Sequence, residues 1–181
     1  MTFVRFRPLT GRRRGLAILA IAFGFMLPAV ARGQACTGLA LDPPVSGTLD
    51  FGRLYVTAGV SGTATLDPAS GLVNATGRLV SAQTGLPLSV RVTDPSADCE
   101  FILSVTPASR DLASSFTAVV DRISMLEGTL LNADPAQREW LVRMNNGVAR
   151  VLMGGVLEMN TAADGLIDTY TVTFTVTVNP S

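Results

Sequence analysis

Apolar and polar residues alternate along most of the chain. Between Thr169 and Val178, the residues Tyr170, Val172, Phe174, Val176 and Val178 fall on one side and five threonines on the other. A period of two predicts a strand with one buried and one solvated face. Leu88, Val90 and Val92 alternate with Ser89, Arg91 and Thr93, and Cys99, Phe101, Leu103 and Val105 with Glu100, Ile102, Ser104 and Thr106. The latter pattern places Cys99 on the inward face. Further strands are predicted over 48–54, 59–66, 77–82, 116–125, 140–144 and 148–159. Residues 108–124 satisfy both periods. Leu112, Phe116, Val119, Val120 and Ile123 follow helical spacing, while Phe116, Ala118 and Val120 alternate. The β-branched content from Thr117 to Ile123 favours a strand from Phe116 onward, with a short helix as the alternative.

Turn chemistry separates these runs: Asp42-Pro43-Pro44, Asp67-Pro68-Ala69-Ser70-Gly71, Asp94-Pro95-Ser96, Asn132-Ala133-Asp134-Pro135, Asn145-Asn146-Gly147 and Asp164-Gly165. Asn146-Gly147, between Trp140-Leu141-Val142-Arg143-Met144 and Val148-Ala149-Arg150-Val151-Leu152, is the strongest hairpin signal. About nine to eleven short strands at this spacing predict an all-β fold, an antiparallel immunoglobulin-like β-sandwich.

The first 35 residues read differently. Five of the 14 arginines lie in the first 14 positions, no acid precedes Asp42, and Gly15 to Leu27 is an uncharged run closed by Pro28. A basic start and a short apolar stretch predict a secretory signal peptide. The stretch is too short for a membrane span, which needs about 20 apolar residues. Two small-x-small cleavage sites follow, Ala29-Val30-Ala31 and Gly33-Gln34-Ala35, so processing is expected after Ala31 or Ala35. Lipidation of Cys36 is a further alternative. The expected organisation is a signal peptide over 1–35, forming a helix in the precursor, and one domain over 36–181.

Removing that segment changes the charge. The chain's formal net charge is zero, but residues 36–181 hold 8 Arg and 14 Asp and Glu, so 8 − 14 = −6. That balance disfavours nucleic acid and anionic membrane surfaces as partners. In an oxidising compartment the two cysteines, Cys36 and Cys99, are expected to form a disulfide, with two buried free thiols as the alternative.

Little catalytic chemistry is available. The chain has no His and no Lys, which removes His-based metal sites, the Ser-His and Cys-His nucleophile pairs and Schiff-base chemistry. No enzymatic activity and no cofactor are expected. Asp94, Asp98 and Glu100 crowd one turn and Asp164 and Asp168 flank another. These are weak Ca²⁺ candidates, because such acids are also ordinary turn formers. A glycosidase carboxylate pair would need a sugar-binding cleft, usually aromatic, and the chain has one tryptophan and two tyrosines. Gly154-Gly155 lies inside an apolar run with no lysine following, so it reads as a bulge or a close backbone approach and not as a phosphate loop. Asn74-Ala75-Thr76 fits the glycosylation pattern.

Several segments together resemble a family. Leu49-Asp50-Phe51-Gly52, then Gly62-Thr63-Ala64-Thr65-Leu66-Asp67-Pro68-Ala69-Ser70-Gly71, then Gly154-Gly155-Val156-Leu157, and finally Asp164-Gly165 leading to Tyr170 and Phe174-Thr175-Val176-Thr177-Val178 are similar to exported bacterial domains of unknown function whose pattern runs FG, GTVTVxPxSG, GGxLxV and GxYxGxFxVTV. More distantly the chain resembles spore coat protein U and archaic chaperone-usher pilin domains. It departs at Val172, where the family has glycine, and at Asn179-Pro180, where the family ends on an aromatic residue. The resemblance implies a pilin-like sandwich, a structural or adhesive role at the cell surface, and as partners other surface or pilus subunits or a host or matrix ligand. It transfers no catalytic residues. The alternative function is a periplasmic or extracellular binding module for a small ligand, a polysaccharide or Ca²⁺. Donor-strand polymerisation is disfavoured, since residues 36–44 offer only Leu39 and Leu41 before two prolines.

Overall fold

The most regular alternation in the sequence becomes the middle of a sheet. In the computed structural model, β13 (Ile167–Pro180) pairs antiparallel with β8 (Cys99–Pro107) on one side and β3 (Ser46–Val56) on the other. Beyond β8 lie β11 (Glu139–Arg143) and β10 (Thr129–Asp134), and beyond β3 lies β6 (Leu79–Ser81). The second sheet is centred on β12 (Val148–Met159). One edge of β12 carries β9 (Phe116–Glu127). Its other edge is shared by β7 (Leu88–Thr93) along 148–153 and β4 (Gly62–Leu66) along 155–159. The outer partners are β2 (Ala40–Asp42) on β7 and β5 (Val73–Gly77) on β4. The described residues are 33–42, 46–57, 61–96, 98–107, 116–159 and 167–181. The chain divides into a unit over Met1–Ala31 and a unit over Arg32–Ser181, and the description concerns the second.

The two sheets face each other across one apolar core, the all-β sandwich that the alternation predicts. Phe51, Phe101, Trp140 and Phe174 enter from the first sheet and Leu66, Val120, Val151 and Leu157 from the second, each at most 1% exposed. Phe116 and Tyr170 meet across the sandwich with ring centroids 4.7 Å apart and planes tilted by 44°, within the favourable range for aromatic pairs.

The quoted sequence motifs acquire local reasons. In Leu49-Asp50-Phe51-Gly52, the residues Phe51 and Gly52 together face the single residue Tyr170, so the β3–β13 ladder bulges there. Gly52 supplies the left-handed backbone, φ 68°, which a side chain would strain. Its N–H donates to Asp50 Oδ1 at 2.6 Å. At Gly154-Gly155 the backbones of three strands converge. A Cβ on Gly154 would strike the Leu66 carbonyl oxygen and one on Gly155 that of Val119. This is the close approach expected from sequence, accompanied by a bulge at Asp121 on β9.

Four short strands escape the sequence pattern: β1 (Gln34–Ala35), β2, β5 and β10. The described residues thus hold thirteen strands against the nine to eleven expected. Two- and three-residue strands show no alternation to read, and β10 is exposed on both faces, so neither face is marked by apolar residues. The strand expected from Phe116 is present as β9, whereas 108–115, where the helical alternative would begin, lie outside the described residues. So do residues 1–32 of the expected signal segment, the Pro43-Pro44 turn, residues 59–60 of the expected 59–66 strand, and Asp164-Gly165.

The hairpin expectation is half right. Asn146 and Gly147 have φ 52° and 75°, the two positive values of a type I′ turn. Asn145 and Val148 exchange both backbone bonds, at 3.0 and 3.1 Å. Pairing then stops, because β11 continues into the first sheet and β12 into the second. Trp140, Val142 and Met144 on one arm and Ala149, Val151 and Met153 on the other are all buried. Splaying the arms onto opposite sheets lets both apolar sets face one core.

Candidate functional site

The chemically densest part of the described chain is the corner where its N-terminal segment crosses from one sheet to the other. β1 pairs in parallel with β8 (Gln34 opposite Cys99, Ala35 opposite Glu100), and β2 pairs antiparallel with β7. Between them Cys36 is disulfide-bonded to Cys99, as the inward face of Cys99 and an oxidising compartment predict. Both cysteines are buried, at 1% and 0% exposure. The bond occupies the sulfur that a lipid thioether on Cys36 would use. The Cys36 N–H donates to the Glu100 carbonyl at 3.1 Å, and Met144 Sδ lies 3.8 Å from Cys99 Sγ.

Asp94 closes this corner. Its Oδ2 accepts from the Gly38 N–H at 2.6 Å and its Oδ1 from the Ser96 N–H at 2.7 Å, so one carboxylate clamps the N-terminal segment to the turn after β7. A carboxylate oxygen of Asp94 and the two cysteine sulfurs lie within 4.8 Å of one another. The sulfurs are committed to each other and the carboxylate to backbone amides, so the group works as a structural clasp. Burial pushes the Asp94 carboxyl up, but bonds from the Ser96 N–H, the Gly38 N–H, the Ser96 hydroxyl and the Thr37 N–H outweigh it, and the net shift is down.

The other sequence candidates have separate partners. Asp98 Oδ1 accepts from the Asn146 N–H at 3.2 Å, tying the type I′ turn to the 94–98 turn. Glu100 pairs with Arg143 across β8 and β11, with Nε 3.0 Å from Oε1. Asp168 is placed only by its backbone, opposite Leu54, and Asp164 lies outside the described residues. Asn74 sits exposed on β5, and the neighbouring Thr76 hydroxyl lies 2.6 Å from that of Thr63.

Two further groups matter that the sequence did not offer as site candidates. Arg78 is 1% exposed, at the corner where β5 of the second sheet leads to β6 of the first. Its Nε–H donates to the Thr57 carbonyl at 2.7 Å. No periodicity marks a buried arginine, and the only hint is the preceding Gly77, whose φ of 66° makes the corner. Asp67 Oδ1 accepts from the Ser70 hydroxyl, the Ser70 N–H and the Ala69 N–H at 2.7, 2.8 and 3.1 Å. These bonds, the Ser70 hydroxyl foremost, hold its carboxyl below the usual value.

Because Asp94 and Asp67 are depressed in the folded state, each adds stability that is present above the unfolded carboxylate value, about 4, and lost as pH falls through the lower folded value. Urea midpoints are therefore expected to drop between pH 5 and pH 2. Asp94→Asn is expected to lower the midpoint at pH 7 and flatten the acid limb. An acid limb as steep as that of the parent would show that Asp94 carries no such linkage.

A shallow groove of about 290 Å³ is lined by Ile102, Asn132, Asp134, Glu139, Trp140 and Leu141. Trp140 is 1% exposed, so its ring is withheld from a ligand such as a sugar. Among the described residues no helix is long and apolar enough to cross a membrane. No protein family, curated protein or solved structure matches the chain.

Proposed function

We propose that this protein is an exported structural component of the cell surface, a self-contained sandwich whose N-terminal segment is locked into its own fold. The observation that carries this reading is the corner itself: β1 adds to one sheet, β2 to the other, and the Cys36–Cys99 bond staples the chain between them. A disulfide of this kind fits an oxidising compartment. A segment with both halves paired inside its own chain is not a free donor strand for a neighbour.

The outer rim argues the same way. The longest open edge among the described residues is β9 with β10, joined at Gly128, and extra residues at Asp121, Leu126 and Leu131 interrupt its ladders. Bulges at that interval twist an edge away from regular pairing with another strand. Asp121 and Arg122, brought to one side by the first bulge, form a bidentate pair at 2.7 and 2.6 Å, which places charge on the same edge. The protein thus supports a surface through its stable body and not through strand exchange.

The test is to express the full chain in a bacterial host, fractionate the cells and pass the exported protein through size exclusion. A folded, oxidised monomer outside the cytoplasm is the expected result. Retention in the cytoplasm would overturn export, and a concentration-independent polymer ladder would overturn the self-contained reading.

A further inference from the structure

We infer that the mature protein begins at Arg32, produced by cleavage of the Ala31–Arg32 peptide bond, and that the pattern Gly33-Gln34-Ala35 is a piece of the fold and not a processing site. This rests on the export reading above. The reaction is hydrolysis by a signal peptidase: one water is added, the Ala31 carbonyl leaves as a carboxylate on the signal fragment, and Arg32 gains the new α-ammonium.

By composition alone the two sites are equivalent, since both place small residues at the two positions such an enzyme reads. The structure separates them. Gln34 and Ala35 form β1, which lies on the same edge of β8 as β13 and takes over where Pro180 pairs with Phe101. The order of partners along that edge of β8 is Pro180 at Phe101, Ala35 at Glu100 and Gln34 at Cys99. Cleavage after Ala35 would delete this strand and take away the partner of Cys99 and Glu100 on this edge of β8, with β11 remaining on the other.

It would also place an α-ammonium on Cys36, which is 1% exposed and whose amide already donates to the Glu100 carbonyl. A new charge on the disulfide-bonded residue itself disturbs the corner more than one placed upstream of β1 in the sequence. Gly33 adds a separate argument. A Cβ at this position would run into the Glu100 side chain, the same buried carboxylate that pairs with Arg143. A side chain there would have to displace Glu100, so packing gives the small residue a reason of its own. With Arg32 retained, the mature formal charge is 9 − 14 = −5.

The experiment is intact mass and N-terminal sequencing of the exported protein, made from the full chain in a bacterial host. The expected N-terminus is Arg32-Gly33-Gln34-Ala35, with Cys36 and Cys99 oxidised. A chain beginning at Cys36 would overturn the inference and leave export standing. A cytoplasmic chain still beginning at Met1 would overturn export and the inference with it. As a second arm, oxidised chains beginning at Arg32 and at Cys36 are compared in urea. The shorter chain is expected to unfold at lower urea and to exchange its Cys36 amide faster, whereas identical midpoints and exchange would remove the structural basis and overturn the inference.

Discussion

Reduction of the Cys36–Cys99 disulfide is expected to lower the unfolding free energy by about 4 kcal/mol. The two cysteines are 63 positions apart, and in the chain-entropy treatment a loop of that length restricts the unfolded ensemble by this amount, with little further dependence on its exact size. The native side contributes as well, because the bond holds the segment that carries β1 and β2. Urea unfolding with and without reductant measures the effect, and the double variant Cys36→Ala, Cys99→Ala should match the reduced protein to within about 1 kcal/mol, the size of a small cavity term. An unchanged midpoint, with two thiols titrating freely in the native protein, would show that the clasp is absent.

The second large effect is expected at Trp140. It heads the largest fully buried side chains and stands on β11 between Leu103 of β8 and Ala133 of β10. Trp140→Ala removes the contacts of a whole indole and leaves a cavity, and is expected to cost about 3–5 kcal/mol. Leu86, 66% exposed, is the control, since Leu86→Ala should fall within about 0.5 kcal/mol of the parent. Trp140 is the sole tryptophan, so the variant must be followed by circular dichroism and not by indole fluorescence. A loss below about 1 kcal/mol would mean that the sheet relaxes around the vacancy, contrary to the close packing expected of a sandwich interior.

What could be read in the sequence follows from where the physics is local. Thr169 to Val178 advertised β13 because one face is buried and the other solvated along its whole length. Asn146-Gly147 advertised a type I′ turn because few other pairs adopt two positive φ values in succession. The partners of a strand are not local. Nothing in Trp140 to Leu152 says that the two arms of the turn part company, since that follows from where β8 and β12 stand in the finished sandwich. The clasp was legible in its parts and not as a whole. Cys36 and Cys99 could be paired from compartment and inward face, and Asp94 could be noticed as an acid in a turn. Its role as an acceptor for the Gly38 amide, 56 positions away, depends on a juxtaposition made only by folding. Arg78 left still less trace, because a buried cation at a sheet corner obeys no period.

The position of β13 also governs when this protein can fold. It is the latest strand along the described chain, yet it lies at the centre of its sheet, between β8 and β3. Until it arrives, β3 with β6 and β8 with β11 and β10 are two separate fragments with no shared ladder. A chain that becomes available from its N-terminus must therefore hold its earlier strands open until β13 follows. Contacts this distant in sequence form slowly, and unpaired edges wait in the meantime. Folding should be a single late event, which makes the interval before β13 is in place, and not the finished sandwich, the stage at which this protein is most exposed to proteases and to aggregation.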